Sequence, residues 1–287
     1  MIARSSDGET LTYEIVGRAQ GTPILTTHGL VSSNQHWQFF NSHFGVDHPI
    51  VAWDYRGHGA QQPPMNREVS VAQFADDAHA VWSASELPPA IVVGLSFGVQ
   101  VALETWRRHR EMVRALVLIC GTPGHPLDRV SSSPRLRRAV IAAFQAFGRR
   151  HALARPILGF FRTPLGLRIA RELTYASGGA HRAACPPEVL EGLFQHAGGL
   201  DPELFGYVVG AYFDHDAEAV LPTITVPTLI IAGDRDQLTP VATAERMQRA
   251  IPNSELVVFP GHSHLVQVEK PEEVHAAIED FLHDRGL

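Results

Sequence analysis

Ala90-Ile91-Val92-Val93 is a short β-branched run of the kind that forms a buried parallel strand, and residues 99–110 carry a helical pattern. Gly94-Leu95-Ser96-Phe97-Gly98 is all that lies between them. A strand that gives way to a helix over so few residues must turn sharply. Glycines two residues before and two after Ser96 remove the Cβ atoms that would clash in that turn. The serine hydroxyl is then pushed out at the end of the strand, over a helix N-terminus whose free N–H groups favour developing negative charge. Such a strand-turn-helix unit belongs to an α/β architecture and makes Ser96 a candidate nucleophile. The five-residue pattern carries little weight alone, so a base, an acid and an oxyanion hole have to be found elsewhere in the chain.

Strand and helix patterns alternate through the rest of the sequence, which implies crossover connections and a mostly parallel central sheet flanked by helices. A polar hairpin turns at Asp7-Gly8 and continues over residues 10–16. A strand at 23–27, an amphipathic helix at 33–44 and a strand at 50–53 follow, and Ser70 caps a helix reaching about residue 83. Beyond the Ser96 unit comes a strand at 115–119, and the pattern resumes only at 228–232. It ends with a helix at 240–250, a strand at 255–259 and a helix at 271–283. Between 121 and 226 strand signals are missing, and prolines such as Pro134, Pro156, Pro164, Pro187 and Pro202 cut the chain into short helices. The reading is a core domain over 1–121 and 227–287 with an inserted all-helical cap over 122–226.

Bulk properties narrow the function. No apolar run approaches the roughly 18 to 20 residues of a membrane span. The first residues are polar and alternating rather than signal-like, so a cytoplasmic protein is expected. Cys120 and Cys185 stand far apart without metal-ligand spacing and read as free thiols. A net charge of −6 argues against general nucleic-acid binding. Neither a metal nor a cofactor is called for, and oligomeric state is not constrained.

A serine needs a base to take its proton, and histidine serves best near neutral pH. In a doubly wound sheet, reacting groups gather at the carboxyl ends of the strands. The loop after the last strand, Pro260-Gly261-His262-Ser263-His264, offers two histidines there, and the preceding loop, Ala232-Gly233-Asp234-Arg235-Asp236, offers two acids. The order is serine, acid, histidine.

At this point the chain resembles the α/β-hydrolase superfamily over nearly its whole length, as a serine esterase- or lipase-like member with a helical cap. The resemblance rests on His28-Gly29, on Asp54-Tyr55-Arg56-Gly57-His58-Gly59, on the Ser96 turn, on residues 233–240 and on residues 264–271. It implies Asp236 rather than Asp234 as the acid, from Gly-x-x-Asp-x-x-x-Pro, and His264 rather than His262 as the base, from the Glu-x-Pro that follows it. It further implies an oxyanion hole built from the backbone N–H groups of Leu30 and Phe97. The activity implied is cleavage of a small-molecule carboxylic ester through an acyl-enzyme. Relatives use the same triad as lactonases, perhydrolases or haloperoxidase-like enzymes and carbon-carbon bond hydrolases, and a non-catalytic small-molecule receptor is the reading of a different class. His28 is expected to brace the oxyanion loop, and Asp54 and Arg56 to fix a loop. Asn34, His36 and Trp37 are candidates for the pocket wall, with Trp37 taken as substrate-binding. Phe160, Phe161, Leu193, Phe194, Phe205 and Tyr207 are expected to form an acyl pocket in the cap.

The cap has its own charge signature. Eleven arginines and a single acid, Glu172, occupy residues 129–182, leaving the remainder of the chain strongly acidic. Arg135, Arg137, Arg138, Arg149 and Arg150 interleave with apolar residues in the manner of a basic amphipathic helix. Pairing of these guanidinium groups with acids of the core domain is the favoured account. Attraction to anionic lipid or to an acidic substrate is the alternative.

Overall fold

The computed structural model describes residues 1–17, 20–126 and 133–287; Arg129, the first of the cap arginines, lies outside them. Eight strands form one sheet: β1 (Ile2–Arg4), β2 (Thr10–Val16), β3 (Ile24–Thr27), β4 (Ile50–Trp53), β5 (Ala90–Leu95), β6 (Val113–Ile119), β7 (Thr228–Gly233) and β8 (Ser254–Phe259). Their spatial order is β1-β2-β4-β3-β5-β6-β7-β8. β1 and β2 are antiparallel, β2 pairs antiparallel with β4, and every later pairing is parallel. The chain reverses strand order between β3 and β5, which opens a crevice at the carboxyl ends of the central strands.

Core helices cover both faces. They are α1 (Gln38–Phe44), α2 (Val71–Ser85) and α3 (Phe97–His109) before the insertion; five helices between β6 and β7, α4 to α8, are described below. Side-chain alternation along the strands assigns each face its partners. Val92 and Leu116 point into one core with Phe74 of α2 and Val101 of α3. Ile91, Val93 and Val117 point into the other with Phe40 and Phe44 of α1. Both faces of β5 are buried along its whole length, which is why its sequence reads as a continuous apolar run. Ser70 starts α2 with a reciprocal capping box to Gln73.

Between β6 and β7 the chain folds into α4 (Pro134–Arg149), α5 (His151–Phe160), α6 (Pro164–Ala176), α7 (Pro187–Gly199) and α8 (Pro202–Asp214), and an isolated bridge from Gly124 to Asp216 closes its base. Proline opens α4, α6, α7 and α8 at the first helical position, where its missing N–H costs nothing. The prolines thus mark helix starts more often than breaks. The chain ends with α9 (Val241–Ala250), a short α10 (Val266–Glu269) and α11 (Pro271–Arg285); the sequence reading leaves α10 inside a loop.

Candidate active site

Ser96 stands between β5 and α3 with φ 54° and ψ −113°, a conformation that a residue with a side chain seldom adopts. The crowding expected of the turn is present. A Cβ on Gly94 would lie 2.7 Å from the Gly98 carbonyl oxygen, and one on Gly98 would lie 2.0 Å from that of Thr27. Helix α3 therefore reaches the end of β3 only because position 98 is glycine. The Ser96 N–H donates to the Ile119 carbonyl at 2.9 Å, so the sheet's own hydrogen bonding holds the strained residue.

The two later loops arrive as the sequence predicts. His264 Nε2 lies 2.8 Å from Ser96 Oγ, and His264 Nδ1 lies 2.7 Å from Asp236 Oδ2. The Asp236 carboxylate also accepts the N–H groups of Leu238 and Thr239 at 2.7 and 2.8 Å and the Thr239 hydroxyl at 2.6 Å. Burial pushes its pKa up, but the neighbouring His264 and these donors outweigh that and hold it below the ordinary carboxylate value. Asp234 and His262 do other work. Asp234 accepts the Gly261 N–H at 2.6 Å, and His262 Nδ1 faces Glu269 Oε2 at 3.2 Å.

Glu269 and Thr239 escaped the sequence reading. The buried Glu269 carboxylate accepts the Ser263 N–H at 2.9 Å, the Ser263 hydroxyl and, from the inserted segment, the His181 N–H at 2.6 Å. It clamps the loop that carries His264. The Glu-x-Pro that singled out His264 was the available signal, and its glutamate turns out to be the residue that holds the histidine's loop. Thr239 lies within the Gly-x-x-Asp-x-x-x-Pro pattern without being specified by it.

Behind the site, His28 accepts the Tyr55 N–H at Nε2 and lies 3.0 Å from the Gly29 carbonyl at Nδ1, an arrangement that suits the neutral ring. Complete burial lowers its pKa to about 3. Asp54 accepts the Asn34 and Ala60 N–H groups, and Arg56 is buried in a bidentate pair with Asp77. All three serve as braces, as expected. Cys120 is buried beside Asp236 and His264, and desolvation raises its thiol pKa well above the ordinary value.

In front of Ser96 and His264 lies a cavity of roughly 400 Å³, walled chiefly by Leu30, Val31, Leu193, Tyr212, Phe213 and Leu265. His36 and Ser32 form a polar edge of it, joined by a 2.8 Å hydrogen bond. Leu30 lines the cavity, and Phe97 begins α3, where a first-turn N–H has no partner within the helix.

Two expectations about the pocket are corrected. Trp37 is 1% exposed and packs edge-on against Phe40 in the core, because its helical position faces the sheet together with Phe40 and Phe44. His36, one residue earlier, takes the cavity wall. Of the apolar residues expected to form the acyl pocket, Leu193 alone lines it; Phe160 is 38% exposed, and Tyr212 and Phe213 of α8 supply the aromatic wall.

The expected pairing of the inserted segment's arginines with core acids is not what the described ion pairs of Arg171 and Arg182 show. Arg171 pairs with Glu172 and Glu191, and Arg182 with Glu172, all inside the inserted segment. Arg149 donates to Tyr207.

Comparisons with known proteins agree with the architecture. The chain is 28% identical to a pimeloyl-[acyl-carrier protein] methyl ester esterase of Chromobacterium violaceum, covering 93% of this chain and 96% of that one. It is 27% identical to a 2-(acetamidomethylene)succinate hydrolase of Mesorhizobium japonicum, covering 98% and 95%. An esterase from Exiguobacterium antarcticum superposes with a TM-score of 0.80 at 21% identity, covering 99% of each chain, which speaks to the fold. The model of the alpha/beta hydrolase fold family matches residues 22–271, and the chain belongs to that family.

Proposed function

We propose that the protein hydrolyses an uncharged carboxylic ester through an acyl-enzyme on Ser96. The observation that carries this reading is the continuous hydrogen-bond line from Asp236 through His264 to Ser96 Oγ, which opens onto an apolar cavity. As Ser96 Oγ attacks the ester carbonyl carbon, His264 Nε2 takes its proton, and Asp236 stabilises the resulting imidazolium through Nδ1. The carbonyl oxygen, now anionic, is met by the backbone N–H groups of Leu30 and Phe97; one such donor is worth roughly 3 kcal/mol of barrier. His264 then protonates the leaving alcohol. Water, deprotonated by His264 in turn, releases the acid and restores Ser96.

The cavity lining supports a substrate that is neutral near the scissile bond. Among the described residues that wall it there is no lysine, arginine, aspartate or glutamate. The hydrogen-bonded Ser32–His36 edge offers a place for one polar group of the acyl or alcohol portion. The inserted helices act as a cap, since Leu193, Tyr212 and Phe213 close the cavity from their side. A panel of p-nitrophenyl esters of increasing chain length, run on wild type and Ser96→Ala, tests the proposal. Turnover in the wild type with a loss of at least about 10³-fold in the alanine variant is the expected result. Activity that survives Ser96→Ala rejects the nucleophile. Retained binding of the esters without turnover would instead favour a receptor. Lactones belong in the panel because ring opening by Ser96 is the same chemistry on a cyclic ester.

A further inference from the structure

We propose that the outward faces of α4, α5 and α6 form a docking surface for an anionic phospholipid bilayer. Half of the fourteen exposed large apolar side chains among the described residues fall between positions 136 and 173. They are ordered. Leu153, Ile157 and Phe160 stand at i, i+4 and i+7 on α5, and Leu165, Ile169 and Leu173 at i, i+4 and i+8 on α6, so each set is one stripe along one helix. The opposite sides are already used: Ala154 and Leu158 of α5 and Leu167 and Ala170 of α6 are buried. Phe160 joins the stripes, since its ring would be 3.1 Å from a Cβ placed on Gly166 at the start of α6. Apolar groups of this size exposed in rows mark a contact surface rather than scattered surface residues.

Charge decides what the surface contacts. Arg135, Arg138, Arg155, Arg162 and Arg168 are exposed on the same three helices and the α5–α6 turn, and none has a described carboxylate within ion-pair distance. The one acid between 133 and 182, Glu172, is already engaged by Arg171 and Arg182. Rows of leucine and isoleucine flanked by unpaired arginines are what an interfacial helix presents to lipid, apolar groups entering the acyl boundary and guanidinium groups meeting phosphates. A second copy of the chain would set arginine against arginine, so self-association through this face is disfavoured. An acidic substrate would need arginine at the cavity, and none of its described lining residues is one. The rest of the chain is acidic and is repelled by the same membrane, which orients the molecule with α4–α6 toward it.

Co-sedimentation with vesicles of phosphatidylcholine alone and of phosphatidylcholine with phosphatidylglycerol tests this independently of catalysis. The protein should pellet with the anionic vesicles at low salt, far less with the zwitterionic ones, and less at about 0.5 M salt, where charge is screened within about 4 Å. One arginine near such a surface strengthens binding about five-fold, so Arg135→Glu with Arg168→Glu should weaken it at least about 25-fold. Leu165→Ser with Leu173→Ser should weaken it about ten-fold or more. All four positions lie on the surface, and unchanged melting temperatures will show that the variants are folded. Absence of binding to anionic vesicles at low salt overturns the proposal. So does binding that the leucine pair leaves unchanged, which would reduce the face to a simple electrostatic patch, and so does binding to heparin in place of vesicles.

Discussion

Glu269→Gln is the substitution through which the base loop is best tested. Each oxygen of the Glu269 carboxylate faces two donors: Oε1 accepts from the His181 N–H and the Ser263 hydroxyl, and Oε2 from the Ser263 N–H with His262 Nδ1 beside it. A glutamine offers one oxygen and one NH₂, so whichever way it turns, the NH₂ meets a backbone N–H. A buried donor left without an acceptor costs about 1–3 kcal/mol. The bonds that survive are made to a neutral amide and lose about 1 kcal/mol between them. Unfolding by urea at pH 7 should therefore show a loss of about 2–4 kcal/mol. Burial raises the Glu269 pKa, but its donors outweigh that and hold it below the ordinary value. A depressed carboxylate stabilises above its unfolded pKa, so the gap between wild type and variant should close as pH falls below about 4.5. Because Glu269 does not line the cavity, the catalytic effect should fall on kcat and on the labelling rate of Ser96 by a fluorophosphonate, with KM little changed. Stability within about 0.5 kcal/mol of wild type together with unchanged labelling would refute the clamp.

The turn and the buried histidines yield two more tests. Gly98→Ala forces a Cβ into the Thr27 carbonyl and should cost at least about 3 kcal/mol or abolish soluble expression, whereas Gly192→Ala, with open space at its Cβ inside α7, should stabilise by up to about 1 kcal/mol. Equal effects of the two, read by urea unfolding, would show that crowding is not what keeps Gly98. His28 and His58 are fully buried, and desolvation lowers each to about pKa 3, so the unfolded chain binds more protons than the folded one as pH falls below about 6.5. Stability should drop by about 2 kcal/mol for each between pH 7 and pH 5, and a flat profile over that range would mean that the rings are solvated.

What was legible in the sequence was what covalent geometry forces. Two glycines around Ser96 are demanded by contacts of 2.0 and 2.7 Å, so the turn can be read from residue types alone. The family resemblance preferred Asp236 and His264 to Asp234 and His262, and it is this pair that the hydrogen bonds join to Ser96. Trp37 and His36 differ by one residue, a rotation of about 120° on the short 3-10 turn Asn34–Trp37, and only the placement of that turn against the sheet decides which ring meets the cavity. The same limit applies to α5 and α6. Their periodicity announces an apolar face, yet whether that face meets protein or solvent depends on where α7 and α8 lie, which no local pattern encodes. The arginines misled for a related reason: opposite charges in a sequence need not be neighbours in space, and the described pairs of Arg171 and Arg182 are made to acids of the inserted segment itself.

The proposed oxyanion donors at Leu30 and Phe97 are main-chain groups, which is why they leave so little trace in residue type. Three of the non-glycine residues with positive φ, Val31, Ser96 and Cys120, stand just beyond the ends of β3, β5 and β6 at the crevice. A left-handed conformation costs a non-glycine residue of order 1–3 kcal/mol and is disfavoured most for a β-branched one such as Val31, so it persists only where surrounding structure imposes it. The sheet supplies that imposition at two of the three: the Ser96 N–H donates to the Ile119 carbonyl and the Cys120 N–H to the Ile231 carbonyl, so each of these two is pinned by the strand beside it. Strand register thus becomes donor position. The N–H of Phe97, adjacent to Ser96, takes its direction from the sheet in this way, and under the proposed mechanism substituting the Leu30 or Phe97 side chain should disturb the oxyanion hole less than a single added methyl at Gly98.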